Sequence, residues 1–237
     1  KMKKTRLTTI LMSGSLAASA FGSAAIAADV DTAALPAVSG FNGKFELGAG
    51  ITDLDGIGSD ELLRGGISLS MPIGDMFGLQ ADFAAVDAFN DTLVGGNLHF
   101  FTRDPNSYLI GVVGGAGFAD DADMYYIGPE FELYAGNFTF EAWAGYLNID
   151  FNNAGSDDEY FVQADFAFYA TENLRLTAGV SSIANFESVH AGMEWLVGDV
   201  GVPLALMADA EFGEVLRQRL GEPDDAVLGR GDVGPIL

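Results

Sequence analysis

The sequence predicts an all-β protein, a closed antiparallel up-and-down β-barrel that crosses a membrane. Three observations predict this fold. Apolar and polar residues alternate along Phe41 to Ile51, and similar segments recur about ten more times. A secretion signal precedes these segments, and turn residues separate them. The segments are about as long as the 9–11 residues with which a tilted strand spans a bilayer.

Composition excludes other classes of protein. The chain has 237 residues, enough for one large all-β domain. Its formal net charge is -23 and it has only 11 Lys and Arg residues, which excludes a nucleic-acid partner. Hydrophobic residues make up 49% of the chain, yet after residue 27 no apolar run reaches the roughly 18 residues of a membrane helix. Apolar residues placed on alternate positions of many strands explain this combination.

The first 27 residues are predicted to be a cleaved signal peptide. A basic start is followed by a mildly apolar stretch, Leu7 to Phe21, and by the A-x-A cleavage motif Ala25-Ile26-Ala27. Residues 28–40 have no hydrophobic period and are predicted to be a short periplasmic lead. The barrel is predicted to occupy residues 41–220, and residues 221–237 to form a polar C-terminal tail.

Eleven segments carry the strand pattern clearly. Tyr160, Val162 and Phe166, for example, point to one face, while Gln163 and Asp165 point to the other. The predicted strands are approximately 41–51, 62–72, 77–87, 92–102, 107–118, 124–135, 138–149, 159–170, 174–182, 186–197 and 202–212.

An odd number of strands conflicts with the even counts of bacterial single-chain barrels. Glu214 to Leu220 is a short candidate for a twelfth strand. We therefore expect twelve strands, with ten strands as the alternative.

The connections are expected to differ between the two ends of the barrel. Gly136-Asn137 and Gly198 to Gly201 have the chemistry of tight turns. The connections at the other end are expected to be longer and acidic, as in Thr52–Glu61, Ala119–Asp123 and Asp150–Asp158. Short turns on the periplasmic side and longer loops outside are typical of outer-membrane barrels. The acidic loop residues are weak candidates for Ca²⁺ or Mg²⁺ binding, namely Asp53, Asp55, Asp60 and Glu61.

Nearly every charge within the predicted strands lies opposite the bulky apolar face. A barrel in lipid keeps its apolar side chains outside, so this polar face is predicted to line the lumen. A soluble lipocalin-like barrel would have the two faces inverted. Inward glycines such as Gly111, Gly115 and Gly179 are expected to leave open space. The carboxylates predicted to set the field in the lumen are Asp82, Glu130, Glu132, Glu141, Asp165, Glu194, Asp209 and Glu211.

Two luminal pairs follow from assumed two-residue turns. A turn at Gly136-Asn137 places Glu132 opposite Glu141, which predicts a cation-preferring constriction or a screened polar surface. A turn at Asp199-Val200 places His190 opposite Asp209, as a structural pair or a proton-responsive contact.

At the level of architecture the chain resembles the small porin-like outer-membrane barrels of Gram-negative bacteria. The resemblance rests on the signal peptide, on Phe41–Ile51 and on repeats such as Leu174 to Val180. It differs from that pattern in ending on Gly-Pro-Ile-Leu, where such barrels commonly end on an aromatic residue. The resemblance implies an outer-membrane location, contact with membrane lipid and lipopolysaccharide, and insertion by the barrel-insertion machinery.

The expected function is that of a narrow, cation-preferring channel for small solutes. A closed structural or adhesion barrel and a soluble periplasmic ligand-binding barrel are the alternatives. Enzymatic activity is not expected, although Ser188 lies near His190 on the same face and leaves a luminal hydrolase as a minor alternative. No cofactor is expected beyond weakly bound Ca²⁺ or Mg²⁺.

Overall fold

The computed structural model describes residues 36–54, 58–152, 155–184, 186–199 and 203–215. These residues form eleven β-strands: β1 (Asn42–Leu54), β2 (Gly58–Ile73), β3 (Phe77–Ala88), β4 (Asp91–Asp104), β5 (Tyr108–Ala119), β6 (Ala122–Ala135), β7 (Phe138–Phe151), β8 (Gly155–Thr171), β9 (Leu174–Ile183), β10 (Phe186–Asp199) and β11 (Pro203–Val215). The eleven clearly patterned segments are each confirmed as a strand. The predicted signal peptide lies outside the described residues, as does the tail 221–237.

All eleven strands belong to one curled sheet, a half-barrel. Each strand pairs antiparallel with its neighbours in sequence, so the order is β1 to β11 without a crossover. The curl brings the second strand toward the last one, because the guanidinium of Arg64 on β2 reaches the carboxylate of Asp209 on β11. In the described part of the chain, no helix has the length and apolarity needed to cross a membrane.

The ends of the strands form two rims. The lower rim is the one at which β1 begins and β2 ends, and the upper rim is the opposite one. At the lower rim β2 connects to β3 through residues 74–76, and β6 connects to β7 through Gly136-Asn137. At the upper rim β3 connects to β4 through Phe89-Asn90, where both residues adopt positive φ angles of 56° and 59°. Positive φ at both central residues belongs to a type I′ turn, which matches the twist of a hairpin.

The expected long loops of the upper rim are wrong. The ladder between β1 and β2 continues to the pair Leu54–Gly58, and only residues 120–121 separate β5 from β6. β7 extends to Phe151, and β8 begins at Gly155. Acidic residues at these strand ends accept hydrogen bonds from side chains of the paired strand, such as that from Asn148 Nδ2 to Asp158 Oδ1 at 2.7 Å.

The predicted twelfth strand is wrong in its position. Glu214 and Val215 belong to β11, because the ladder with β10 runs on to the pair Phe186–Val215. Residues 216–220 lie outside the described part of the chain. Among the described residues no backbone ladder joins β1 to β11.

The two faces of the sheet carry different side chains. On the outer face large apolar residues are exposed on all eleven strands, for example Phe83 at 58% and Tyr160 at 78%. The inner face buries polar residues such as Asp82, Asn97 and Gln163. This arrangement is the reverse of a soluble sheet, in which the apolar face is covered.

Candidate functional site

The inner face brings the predicted luminal carboxylates together. Strand alternation and cross-strand register place all eight on this face. Most of them contact a basic or hydrogen-bonding partner, and these contacts form one polar belt between the two rims. The belt has three parts, centred on His99, on Arg175 and on His190.

His99 on β4 is held between two acidic residues. Its Nε2 lies 2.9 Å from Asp82 Oδ2 on β3, and its Nδ1 lies 2.6 Å from Glu130 Oε2 on β6. Gln80 donates to both oxygens of Asp82 at 3.1 and 3.2 Å and accepts from the Ser70 hydroxyl at 2.9 Å. The network therefore joins β2, β3, β4 and β6, and it leaves Asp82 only 2% exposed.

The predicted pair of Glu132 and Glu141 is present. The Gly136-Asn137 turn gives the expected register, in which Glu132 faces Glu141 and Glu130 faces Trp143. Each carboxylate has its own partner, because the hydroxyl of Tyr134 donates to Glu132 while Arg175 Nη2 lies 3.4 Å from Glu141 Oε1.

Arg175 joins two of the predicted carboxylates. Its Nη1 lies 3.8 Å from Glu194 Oε2 on β10, so one guanidinium on β9 sits between carboxylates of β7 and β10. Arg103 on β4 stacks over the Tyr134 ring, with its Cζ 5.2 Å from the centroid. Basic groups therefore offset part of the negative charge that the carboxylates bring to the inner face.

The predicted pairing of His190 with Asp209 is wrong. The register pairs His190 with Glu211, and Gly192 with Asp209. Asp199 pairs with Pro203, so residues 200–202 separate the two strands where a turn at Asp199-Val200 was assumed, and a register shift between Leu196 and Gly198 moves the ladder back by one residue.

His190 bonds in the opposite direction, away from β11. Its Nε2 lies 2.5 Å from Asp165 Oδ1 on β8, and Gln163 donates to the other oxygen of Asp165 at 2.8 Å. The hydroxyl of Ser188, the serine considered for catalysis, lies 2.8 Å from that of Ser181.

Asp209 instead forms the longest-range contact of the belt. Arg64 Nη2 lies 2.6 Å from Asp209 Oδ1, and Nη1 lies 3.2 Å from Oδ2, which is a bidentate geometry. The Arg64 side chain crosses β1 above Gly48, where a Cβ would lie 2.7 Å from its Nε. The strands that carry Arg64 and Asp209, β2 and β11, lie near opposite edges of the sheet.

The inward glycines at the centre of the sheet do not leave the expected open space, whereas a Cβ on Gly50 of the edge strand β1 would meet nothing within 4 Å. A Cβ on Gly115 would meet Asn97 Oδ1 and the Tyr126 hydroxyl, both at 2.6 Å. A Cβ on Gly179 would lie 2.4 Å from both Asp165 Oδ1 and His190 Nε2. In each case the side chains of the two flanking strands form a hydrogen bond over the glycine. These side chains fill the space that a side chain on the glycine would occupy.

Apolar clusters bound the polar belt on both sides. Toward the upper rim Leu93, Met124, Leu147 and Phe161 belong to one buried cluster. Toward the lower rim Val38 packs with Phe101 and Leu109, and the backbone N–H of Ala37 donates to Asp75 O at 3.1 Å. The last residues of the predicted lead therefore cover the inner face at the lower rim.

A small cavity lies between the belt and the upper cluster. Its volume is about 40 Å³, room for a water molecule or two, and Asp82, Asn97, Leu93 and Tyr126 are among the residues that line it.

The chain matches no protein-family model, no curated protein and no solved structure.

The predicted cation ligands at the upper rim do not come together. The Asp60 carboxylate accepts from the backbone N–H groups of Glu61 and Phe89, at 2.9 and 2.6 Å, and Asp53 accepts from the Ser59 hydroxyl. Asp55 lies outside the described residues. Within the described ranges, no group of three or more His, Asp or Glu side chains could hold a metal ion.

Several residues of the belt were not predicted as site residues. Gln163 is buried on the inner face and Tyr126, whose hydroxyl donates to Asn97, is partly buried there. Arg64 and Arg175 supply guanidinium groups to the same face. Strand alternation places all four on the polar face, so the sequence carried the signal for the face. Alternation does not show which side chains on strands two or more positions away become their partners.

Proposed function

We propose that this chain is an outer-membrane β-barrel that forms a narrow, cation-preferring passage for small solutes. One observation carries the proposal, namely that exposed large apolar side chains cover one face of every strand while most charges between the rims lie on the other. Soluble monomers rarely expose contiguous apolar patches above a few hundred Å². Contact of the outer face with lipid explains the exposure, whereas a soluble ligand-binding barrel would leave it in water.

The proposal includes closure of the curled sheet into a barrel, with export through a signal peptide and insertion by the barrel-insertion machinery. A transmembrane sheet with open edges would expose backbone N–H and C=O groups to lipid, at a cost of several kcal/mol per group. The proposed surroundings of the outer face are membrane lipid and lipopolysaccharide.

Cation preference follows from the balance of charge on the inner face. Carboxylates there outnumber Lys and Arg side chains, even though Arg64 pairs with Asp209, and Arg175 with Glu141 and Glu194. The most accessible are Asp209, whose side chain is 52% exposed, and Glu211, which is also exposed, and Glu194 is 23% exposed. Passing cations would meet these groups first, because Asp82 is buried beneath its partners.

A second candidate is a closed barrel that conducts no ions. The apolar clusters at the two rims favour it, because they cover the belt from above and from below. In this case the belt is a structural network.

Single-channel recording under a salt gradient tests the proposal. We expect stable conductance steps with a cation-selective reversal potential when the refolded chain is added to a planar bilayer. The double variant Glu194→Gln with Asp209→Asn should move that potential toward zero. Glu172→Gln, at an exposed position in the lower-rim turn, is the matched control and should leave it unchanged.

The alternatives give different outcomes. Insertion without current would support the non-conducting barrel. A folded protein that stays in solution without detergent would contradict both membrane proposals.

A further inference from the structure

Side chains on the inner face form hydrogen bonds over the glycine of an intervening strand. His190 on β10 and Asp165 on β8 are the register partners of Gly179 on β9, one on each side, and they bond to each other over it. Gly115 of β5 lies in the same way between its two register partners, whose side chains are also bonded. Each such bond therefore marks three adjacent strands and shows which of their residues face one another.

The ion pair of Arg64 with Asp209 repeats this arrangement at the edge of the sheet. Arg64 on β2 is the register partner of Gly48 on β1, and its side chain passes over that glycine, where a Cβ would lie 2.7 Å from Nε. The guanidinium then reaches the carboxylate of Asp209 at 2.6 and 3.2 Å. By the same geometry, Asp209 is the residue that faces Gly48 from its other side, and β11 is the strand next to β1. Two strand spacings, about 10 Å, then separate β2 from β11, a distance that an arginine and an aspartate span together.

The directions and lengths of the two edge strands agree with this placement. Eleven strands alternate in direction, so β1 and β11 both run from the lower rim to the upper rim and would pair in parallel. Each has 13 residues, and Gly48 and Asp209 are each the seventh. A register that sets Gly48 beside Asp209 therefore aligns the two strands from the first residue to the last.

The stagger of the strands is that of a closed barrel in the same register. The row of paired residues that begins at Asn42 on β1 crosses every strand and ends at Val215 on β11. This register pairs Val215 with Leu54, so one circuit rises along β1 from its first residue to its last. At about 3.3 Å per residue and about 4.8 Å per strand, the stagger corresponds to a strand tilt of roughly 37°, within the range of about 35–45° found in barrels.

We propose that β1 and β11 pair directly in a parallel ladder, with Gly48 beside Asp209, and that this pair closes an eleven-stranded barrel. The inference rests on the proposed outer-membrane barrel and states how its edges meet. The curl of the half-barrel already brings the edges within reach of one ion pair, and further curling forms the ladder. The ladder satisfies the backbone groups of both edges, for which lipid offers no partner. An odd number of strands makes the closing pair parallel, in contrast to the even counts of bacterial single-chain barrels.

Cysteine cross-linking tests this register, because the chain has no native cysteine. Facing residues of neighbouring strands lie about 4.8 Å apart, within the range of about 4.4–6.8 Å between Cα atoms that a disulfide bridges. Ala49→Cys on β1 with Ala210→Cys on β11 is the pair in register, and both positions are exposed. Ala49→Cys with Ala208→Cys is the matched control, because a displacement of two residues puts the Cα atoms about 8 Å apart. The full chain is folded in lipid, oxidised and examined by non-reducing electrophoresis.

We expect a disulfide within the monomer for the pair in register, at a yield about tenfold above that of the control. An equal or higher yield for the control would overturn the proposed register. A chain that inserts into lipid without either disulfide would overturn this inference alone, since the edges would then be separated. Disulfide-linked dimers would overturn it in favour of pairing between two copies. A chain that does not insert contradicts the proposed barrel instead.

Substitution of the bridged glycine gives a second measurement on the same samples. A Cβ on Gly48 meets the side chain of Arg64, whereas a Cβ on Gly50 meets nothing within 4 Å. With both cysteines present, Gly48→Ala and Arg64→Ala should each lower the disulfide yield about two- to fivefold, since each disturbs the ion pair across the closing strands. Gly50→Ala is the control and should leave the yield unchanged. Unchanged yields for all three variants would contradict the placement of Gly48 beside Asp209.

Discussion

The centre of the sheet and its edges use the same residue types in different surroundings. Asp82 on β3 is 2% exposed and has His99 and Gln80 as partners, whereas the Asp209 side chain on β11 is 52% exposed and reaches only Arg64 among its described ion pairs. Both carboxylates follow the same alternation and face the same way. The comparison teaches that alternation determines the face of a side chain, while the position of its strand in the sheet determines its burial.

The two histidines show the same difference. Both ring nitrogens of His99 lie near carboxylates from its two sides. His190 contacts one carboxylate, that of Asp165, through Nε2. β10 lies next to the edge strand, so only one described strand, β11, flanks His190 on that side.

The largest expected effect is at a close approach of two backbones in the centre of the sheet. A Cβ on Gly145 of β7 would lie 2.2 Å from the carbonyl oxygen of Ile127, whereas a Cβ on Gly50 of the edge strand β1 would meet nothing within 4 Å. Gly145→Ala should therefore cost about 3 kcal/mol or more, or prevent folding, because backbone must move. Gly50→Ala is the matched control and should change the free energy of unfolding by less than about 0.5 kcal/mol. Urea unfolding in detergent micelles measures both, and equal losses would contradict the contrast between centre and edge.

Removal of a carboxylate should give a smaller contrast. Asp82→Ala leaves a partly buried histidine and a partly buried amide without one partner, so we expect a loss of about 2–4 kcal/mol. Asp209→Ala removes an exposed ion pair and should cost less than about 1 kcal/mol. The same unfolding experiment compares them, and a larger loss for Asp209→Ala would show that the edge is as tightly packed as the centre.

The smallest expected effect is at the lower rim, where the chain enters the sheet. Val38 is 9% exposed and packs on Phe101 and Leu109, while the neighbouring Ser39 is exposed. Val38→Ala removes two methyl groups from this contact and should cost about 1 kcal/mol. Ser39→Ala should have no measurable effect. If the lower cluster obstructs the passage, Val38→Ala should also raise single-channel conductance. If the variant is less stable but its conductance is unchanged, the narrowest point of the passage lies elsewhere.

The period of two in the sequence was sufficient to predict all eleven strands and the face of each charged residue. The Gly136-Asn137 turn also predicted the register of β6 with β7, because a two-residue hairpin leaves no freedom in pairing. The same reasoning failed for His190 and Asp209, since the connection lies between Asp199 and Pro203 and is longer than the two-residue turn assumed at Asp199-Val200. It could not predict the contact of Arg64 with Asp209, because the curl that brings β2 near β11 depends on the whole sheet.

The glycines beneath the hydrogen bonds have a consequence for how the strands find their alignment. The bond from His190 to Asp165 passes over Gly179 of β9, so it links three strands in one geometry. The inward neighbours of Gly179 are Thr177 and Ser181, and a slip of β9 by two residues in either direction would push one of these side chains into the bond. The bond therefore forms only when β8, β9 and β10 are all in register. Gly179, which has no side chain of its own, is therefore the position at which a misaligned β9 would block the bond between β8 and β10.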